Sequence, residues 1–152
     1  MEEKPIMFGL SKIKQKSSYL NTLDLLDIDI EEFDVDQISI RKGYKLNFIH
    51  EEELFMVETA IDFFYQKNKK IVSNLFGVTV ELEFHLQNFG EIIKWENETT
   101  IDAPDDLVVN LISITYSTAR GILYGLTANS DYENIYLPLT DPGEFQEALQ
   151  NK

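Results

Sequence analysis

The chain has 152 residues, no cysteine, and 27 acidic against 13 basic residues, for a net charge of −14. Its length and 43% hydrophobic content suit one folded domain with a real core. The charge repels nucleic-acid backbones and anionic membranes, and the missing cysteines exclude disulfides, thiol nucleophiles and thiolate metal sites.

The opening MEEKPIMFGLSK has no basic segment leading into a long apolar run, so no secretory signal is expected and the reading is cytoplasmic. A weak strand is predicted within Ile6 to Leu20. From Asp24 to Asp36, seven carboxylates fall in thirteen residues. Asp27, Asp29 and Glu31 are the best candidates there for a hard cation, but no glycine stands where an EF-hand loop needs one. A solvated face or a docking patch for a basic partner is the reading, with no metal site.

Three clearer strands follow. Ile38 to Ile49 keeps Ile38, Ile40, Tyr44, Leu46 and Phe48 in phase. Glu53 to Gln66 puts Phe55, Val57, Thr59, Ile61, Phe63 and Tyr65 on one face. Its other face carries Leu54, Met56, Glu58, Ala60, Asp62 and Phe64. Leu75 to Leu86 alternates Phe76, Val78, Val80, Leu82, Phe84 and Leu86 with Gly77, Thr79, Glu81, Glu83 and His85. Period 2 marks half-buried strands, and Gln66 to Lys70 reads as a hairpin connection. Short joints predict an antiparallel meander with one apolar face in need of a cover. Trp95 reads as an anchor between sheet and helix.

Ala103-Pro104-Asp105-Asp106 suits a helix start, and apolar residues recur at helical spacing from Leu107 to Thr127. Asn110, several Ser and Thr, and Arg120 make that stretch too polar for a membrane span. A short last helix is predicted from Asp141-Pro142-Gly143-Glu144, with Phe145, Ala148 and Leu149 inward. The domain is therefore α+β, a four-stranded antiparallel sheet followed by one long and one short helix packed on one face.

Ser113, Ser117, Gly121 and Gly125 recur every four residues and form one small-residue stripe. Each helix-interior glycine costs about 0.5–1 kcal/mol against alanine, which calls for close packing in return. The stripe lies either against the chain's own sheet or against the same stripe of a second subunit. The second reading is preferred, because the helix is apolar nearly all round. Arg120 is the only charge between Asp106 and Asp131 and is expected to have a structural role with a carboxylate or carbonyl partner.

No catalytic constellation emerges. His85 lines up with Glu81 and Glu83, but no third ligand or nucleophile accompanies them. There is no Gly-rich phosphate loop and no nucleophile elbow. The expectation is a non-enzymatic protein without cofactor or metal.

The stretches ITYSTARGIL (Ile114 to Leu123) and LPLTDPGEF (Leu137 to Phe145) resemble the C-terminal half of SecB-like proteins, and EFHLQN (Glu83 to Asn88) resembles that family's last strand. Arg120 matches the arginine within the family's long helix. Pro138, Pro142 and Phe145 match its link to the short helix. The resemblance implies a holdase chaperone for unfolded polypeptides, assembled as a homodimer or homotetramer with the long helices between sheets. It further implies transfer of clients to an export motor ATPase, although some relatives serve toxin–antitoxin systems. Under it, Leu54, Met56, Ala60 and Phe64 become candidates for an apolar client groove; their other reading is coverage by the N-terminal segment or a neighbouring subunit. The alternative function is an acidic interaction module with one dedicated basic partner.

Overall fold

The computed structural model describes residues 5–97, 100–138 and 142–150, without the side chains of Pro142 and of 148–150. Four long strands come first: β1 (Phe8–Leu20), β2 (Ile38–Ile49), β3 (Leu54–Lys67) and β4 (Lys70–Leu86). A single helical turn α1 (Phe89–Ile92) and a small hairpin of β5 (Lys94–Trp95) and β6 (Ile101–Asp102) lead to α2 (Asp105–Thr127) and α3 (Pro142–Gln150).

The alternation read from the sequence sets the core. Phe55, Val57, Thr59, Ile61 and Phe63 of β3 are buried in register with Phe84, Leu82, Val80, Val78 and Phe76 of β4, and Tyr65, opposite Ser73, is buried as well. The β3–β4 turn is a two-residue hairpin in which Asn68 and Lys69 both adopt left-handed φ, 52° and 62°. That geometry matches the natural twist of paired strands, so β4 starts at Lys70, five residues before its apolar run.

The meander expectation holds for β2, β3 and β4 and fails for β1. The sheet order is β1-β4-β3-β2, with every pair antiparallel. The cause is the passage 21–37, which is no tight joint. Leu23 is buried, and Leu26, Ile28 and Phe33 pack against the core. The segment therefore crosses the end of the sheet and delivers β2 to the far edge, in Greek-key order. An aromatic line holds it there. Phe33 stacks on Tyr65 at 5.2 Å, Tyr132 meets Phe76 at 5.0 Å, and Phe76 stacks on Phe63 at 4.3 Å. The Tyr132 hydroxyl donates to the Asn21 carbonyl, tying the post-helix loop to the start of the crossover.

Burial pushes the Tyr132 hydroxyl up to about 12, with the Asp131 carboxylate adding to the effect. Unfolded tyrosine ionises near pH 10. The neutral, buried form therefore contributes its full stability below about pH 10, and that share is lost as pH rises through about 12. Burial also raises Tyr19 and Tyr44, so they act in the same sense. The urea midpoint is expected to fall between about pH 10 and 12, and less steeply in Tyr132→Phe. Equal slopes in the two proteins would remove Tyr132 as a cause.

Helix α2 covers the apolar face over β3 and β4. Leu107, Val108, Leu111, Ile112, Tyr116, Ala119 and Leu123 face the sheet. The helix starts at Asp105, within the predicted Ala103 to Asp106 start, with Asp105 and Asp106 in its first turn, where the dipole favours them. The Thr115 and Thr127 hydroxyls donate to the Leu111 and Leu123 carbonyls, which satisfies them inside the core.

Helix α3 is pinned by Phe145, 1% exposed, whose ring meets Tyr44 at 5.4 Å and Tyr116 at 5.9 Å. Lys42 pairs with Glu144 at 3.7 Å beside it. The Tyr116 hydroxyl donates to the Pro138 carbonyl at 2.8 Å, so Pro138 closes the link between the helices. Asp141, Leu139 and the side chains of Pro142, Ala148 and Leu149 lie outside the described residues. Trp95 packs edge-on to Phe48 and His50, each at 4.9 Å, as an anchor at the sheet's end.

Candidate polypeptide-binding and assembly surfaces

Three surfaces carry the residues singled out in the sequence. The first is the sheet face turned away from α2. It holds Leu54, Met56, Ala60 and Phe64 together with Glu58 and Asp62 from β3. Pairing brings His85, Glu83, Glu81, Thr79 and Gly77 of β4 alongside them. The four apolar candidates share this face but form no continuous strip, because Glu58 and Asp62 alternate with them. Leu54 and Met56 stand at one end, next to His85 and Glu83. Phe64 stands at the other, 8% exposed, with the Arg41 guanidinium 5.8 Å from its ring centre.

Charge pairs cross the middle of that face. The Lys16 ammonium lies 2.5 Å from Glu58 and 3.6 Å from Glu81. Its hydrogen bond to Glu58 is the main reason the Lys16 ammonium titrates higher than usual. Arg41 lies 3.9 Å from Asp62, whose other oxygen accepts a 2.8 Å hydrogen bond from the Tyr19 hydroxyl. The N-terminal strand thus supplies part of the coverage that the sequence reading offered as one alternative. His85 is exposed in this row, and no group of three His, Asp or Glu gathers as a metal site among the described residues.

The second surface is the free edge of β1. This strand pairs with β4 alone and is exposed along nearly its whole length. Irregularities at Ser11 and Lys16 break its register. Leu10 and Ile13, aligned with the buried Phe84 and Leu82, are 48% and 52% exposed because α2 sits over β3 and β4 and does not reach them. A concavity of about 350 Å³ opens beside them, lined by Met7, Phe8, Gly9, Leu10, His85 and Gln87 among others.

The third surface is the outer side of α2. Ser117, Gly121 and Gly125 are exposed and Ser113 is half-buried. A Cβ on Gly121 or Gly125 would meet nothing within 4 Å. The chain's own sheet therefore does not cover the stripe, and that reading is set aside. Arg120 differs from its expectation. It has no carboxylate or carbonyl partner among the described residues; its guanidinium lies 5.6 Å over the Tyr124 ring and 3.5 Å from that hydroxyl. Its Nε is buried without a hydrogen bond. No described helix is long and apolar enough to cross a membrane.

No family model matches the sequence. No curated protein matches it either. Among solved structures, the chain is similar to the Mycobacterium tuberculosis SecB-like chaperone Rv1957, determined in complex with a ChAD peptide from the Rv1956 HigA1 antitoxin. The match covers 88% of this chain and 90% of that one, with a TM-score of 0.53 and 12% identity. The fold is SecB-like. A protein of unknown function from Streptococcus agalactiae is also similar, at a TM-score of 0.40 and 12% identity over 82% of this chain and 90% of that one.

The long helix faces the sheet with one side and leaves the small-residue side open. The first strand remains an edge. Sequence reasoning missed that edge as a candidate, since Leu10 and Ile13 read as ordinary members of a weak strand. Their exposure follows from the position of β1 beyond the reach of α2, which only the strand order reveals.

Proposed function

We propose that the protein is a holdase-type chaperone that binds extended or unfolded polypeptide through apolar contact and edge pairing. The free β1 edge carries this reading: a long strand with one partner and with Met7, Leu10 and Ile13 held open. Such an edge takes up an extended segment by main-chain hydrogen bonds, while side-chain pockets select its residues. Leu54, Met56, Ala60 and Phe64 lie on the opposite, open face of the sheet and offer a second, separate apolar contact there. The SecB-like fold supports the reading, since Rv1957 was solved with a peptide bound. By analogy, a single dedicated client fits as well as many. The outer side of α2, with Ser113, Ser117, Gly121 and Gly125, is the assembly surface for a second copy.

Light scattering with and without a reduced, unfolded model protein tests this. A complex that gains mass and slows the client's aggregation is expected, and Leu10→Ser with Ile13→Ser is expected to abolish both at unchanged stability. A protein that leaves aggregation untouched overturns the reading.

A further inference from the structure

Two features of opposite charge lie at the end of the sheet where β3 turns into β4. The crossover runs there from Asn21, bonded to Leu75, to Ile38, paired with Tyr65. Its inward residues fix it to the core, yet Leu25 and Ile30 are 75% and 65% exposed. Next to them lies a concavity of about 500 Å³ whose walls include Asp24, Asp27, Asp29, Asp131 and Ile30. None of these four carboxylates forms an ion pair among the described residues. They do not converge as a metal donor set either. The space suits side-chain cations on hydrocarbon stems, flanked by apolar contact.

The β3–β4 hairpin is the complement. β1 ends opposite Phe76 and β2 begins opposite Tyr65, so residues 66–73 run on beyond both edge strands. Lys67, Lys69 and Lys70 form this tip, three of the chain's 13 basic residues within four positions. They too form no ion pair among the described residues. Ile71 and Val72 follow them, 56% and 51% exposed. A basic, apolar protrusion on a chain of charge −14 matches an acidic, apolar-rimmed concavity at the same end.

We propose that the hairpin tip of one copy docks into the acidic concavity of a second copy. Because both features share one end of the sheet, a two-fold axis there makes the contact reciprocal, each copy giving a tip and receiving one. Lysines and aspartates without an ion pair among the described residues then pair across two protomers, and Ile71 and Val72 meet Leu25 and Ile30. This contact is separate from the α2 face and the β1 edge, and it stands independently of the holdase reading.

Sedimentation equilibrium of the full chain tests it with two charge-reversed variants, Lys69→Glu/Lys70→Glu and Asp24→Lys/Asp27→Lys. Both are expected to fold, since the tip is exposed and the left-handed φ at Asp27 is one that Lys69 already adopts; urea unfolding checks this. Self-association of the wild type is expected to weaken about tenfold between about 25 and 250 mM salt, because its charges are exposed. Each variant alone is expected to lose the association that this contact supplies, leaving only that of the α2 face: the reversed tip meets an acidic concavity, and the reversed concavity, with Asp29 and Asp131 still in its wall, has no net charge left to draw the tip. Mixed in equal amounts, the two variants are expected to associate again, because the unchanged tip of one meets the unchanged concavity of the other and the reversed tip meets the reversed positions 24 and 27. Variants that self-associate like the wild type, or that fail to associate when mixed, overturn the proposal. So does a Lys–Leu model peptide that needs Asp24 and Asp27 for binding while self-association ignores them; the concavity then serves a different basic partner.

Discussion

Gly77→Val is expected to cost about 3 kcal/mol or more of folding stability, read as a lower urea midpoint. A Cβ at Gly77 falls 2.7 Å from the Ile61 carbonyl oxygen, 2.7 Å from the Asp62 carboxylate and 2.8 Å from the Tyr19 ring. Real Cβ atoms do not come so near. Two of the three neighbours are side chains that turn aside at a cost, but the Ile61 oxygen belongs to the backbone of the central strand. Relief would need β3 and β4 to part, and both are packed beneath α2. The glycine is also what lets Tyr19 lie flat across the open face and donate to Asp62. Tyr19→Ser in the Gly77→Val background is expected to recover less than half of the loss, because the backbone clash stays. A midpoint equal to wild type would show that the sheet yields at this point.

Gly121→Leu is expected to break or shift the assembly while leaving the protomer's stability unchanged or higher. Nothing lies near a Cβ at this position, and leucine favours a helix over glycine by up to about 1 kcal/mol. A structural role within the protomer therefore predicts no loss. Close contact between two stripes predicts the opposite for mass, since a leucine side chain on each copy drives the helices apart. Gly125→Leu is expected to act in the same direction. Light scattering together with urea unfolding separates the two quantities. Full-sized assembly in both variants would mean that the stripe faces solvent.

Much of the fold follows from two periodicities. The alternation in β3 and β4 and the helical spacing of α2 were legible because each element buries one face and only one. The order of strands was not. An acidic stretch with interleaved apolar residues reads as a solvated joint, yet Leu23, Leu26, Ile28 and Phe33 make it a packed crossover. The ring partners of Phe33, Tyr65 and Tyr132, lie far away in sequence. The turn α1 and the pair β5–β6 escaped notice because elements of two to four residues hold no period. Among the candidate residues, the α2 stripe could be found by spacing alone. Whether it met sheet or open space depended on the angle at which the helix settles, which spacing does not encode. Arg120 was expected to find a carboxylate or carbonyl, and among the described residues it rests on an aromatic ring one turn away.

The position of β1 also bears on how the chain reaches its native state. Phe8 pairs with Leu86, and Leu20 with Phe76, so the first strand closes long loops, whereas β2, β3 and β4 join through neighbouring turns. Local hairpins form in about 1–10 μs, and long loop closures raise contact order and slow folding. During synthesis β1 emerges first and has no partner until β4 has been made. The nascent chain therefore carries its own unpaired, partly apolar strand for the time needed to translate some sixty further residues, at about 5–20 residues per second.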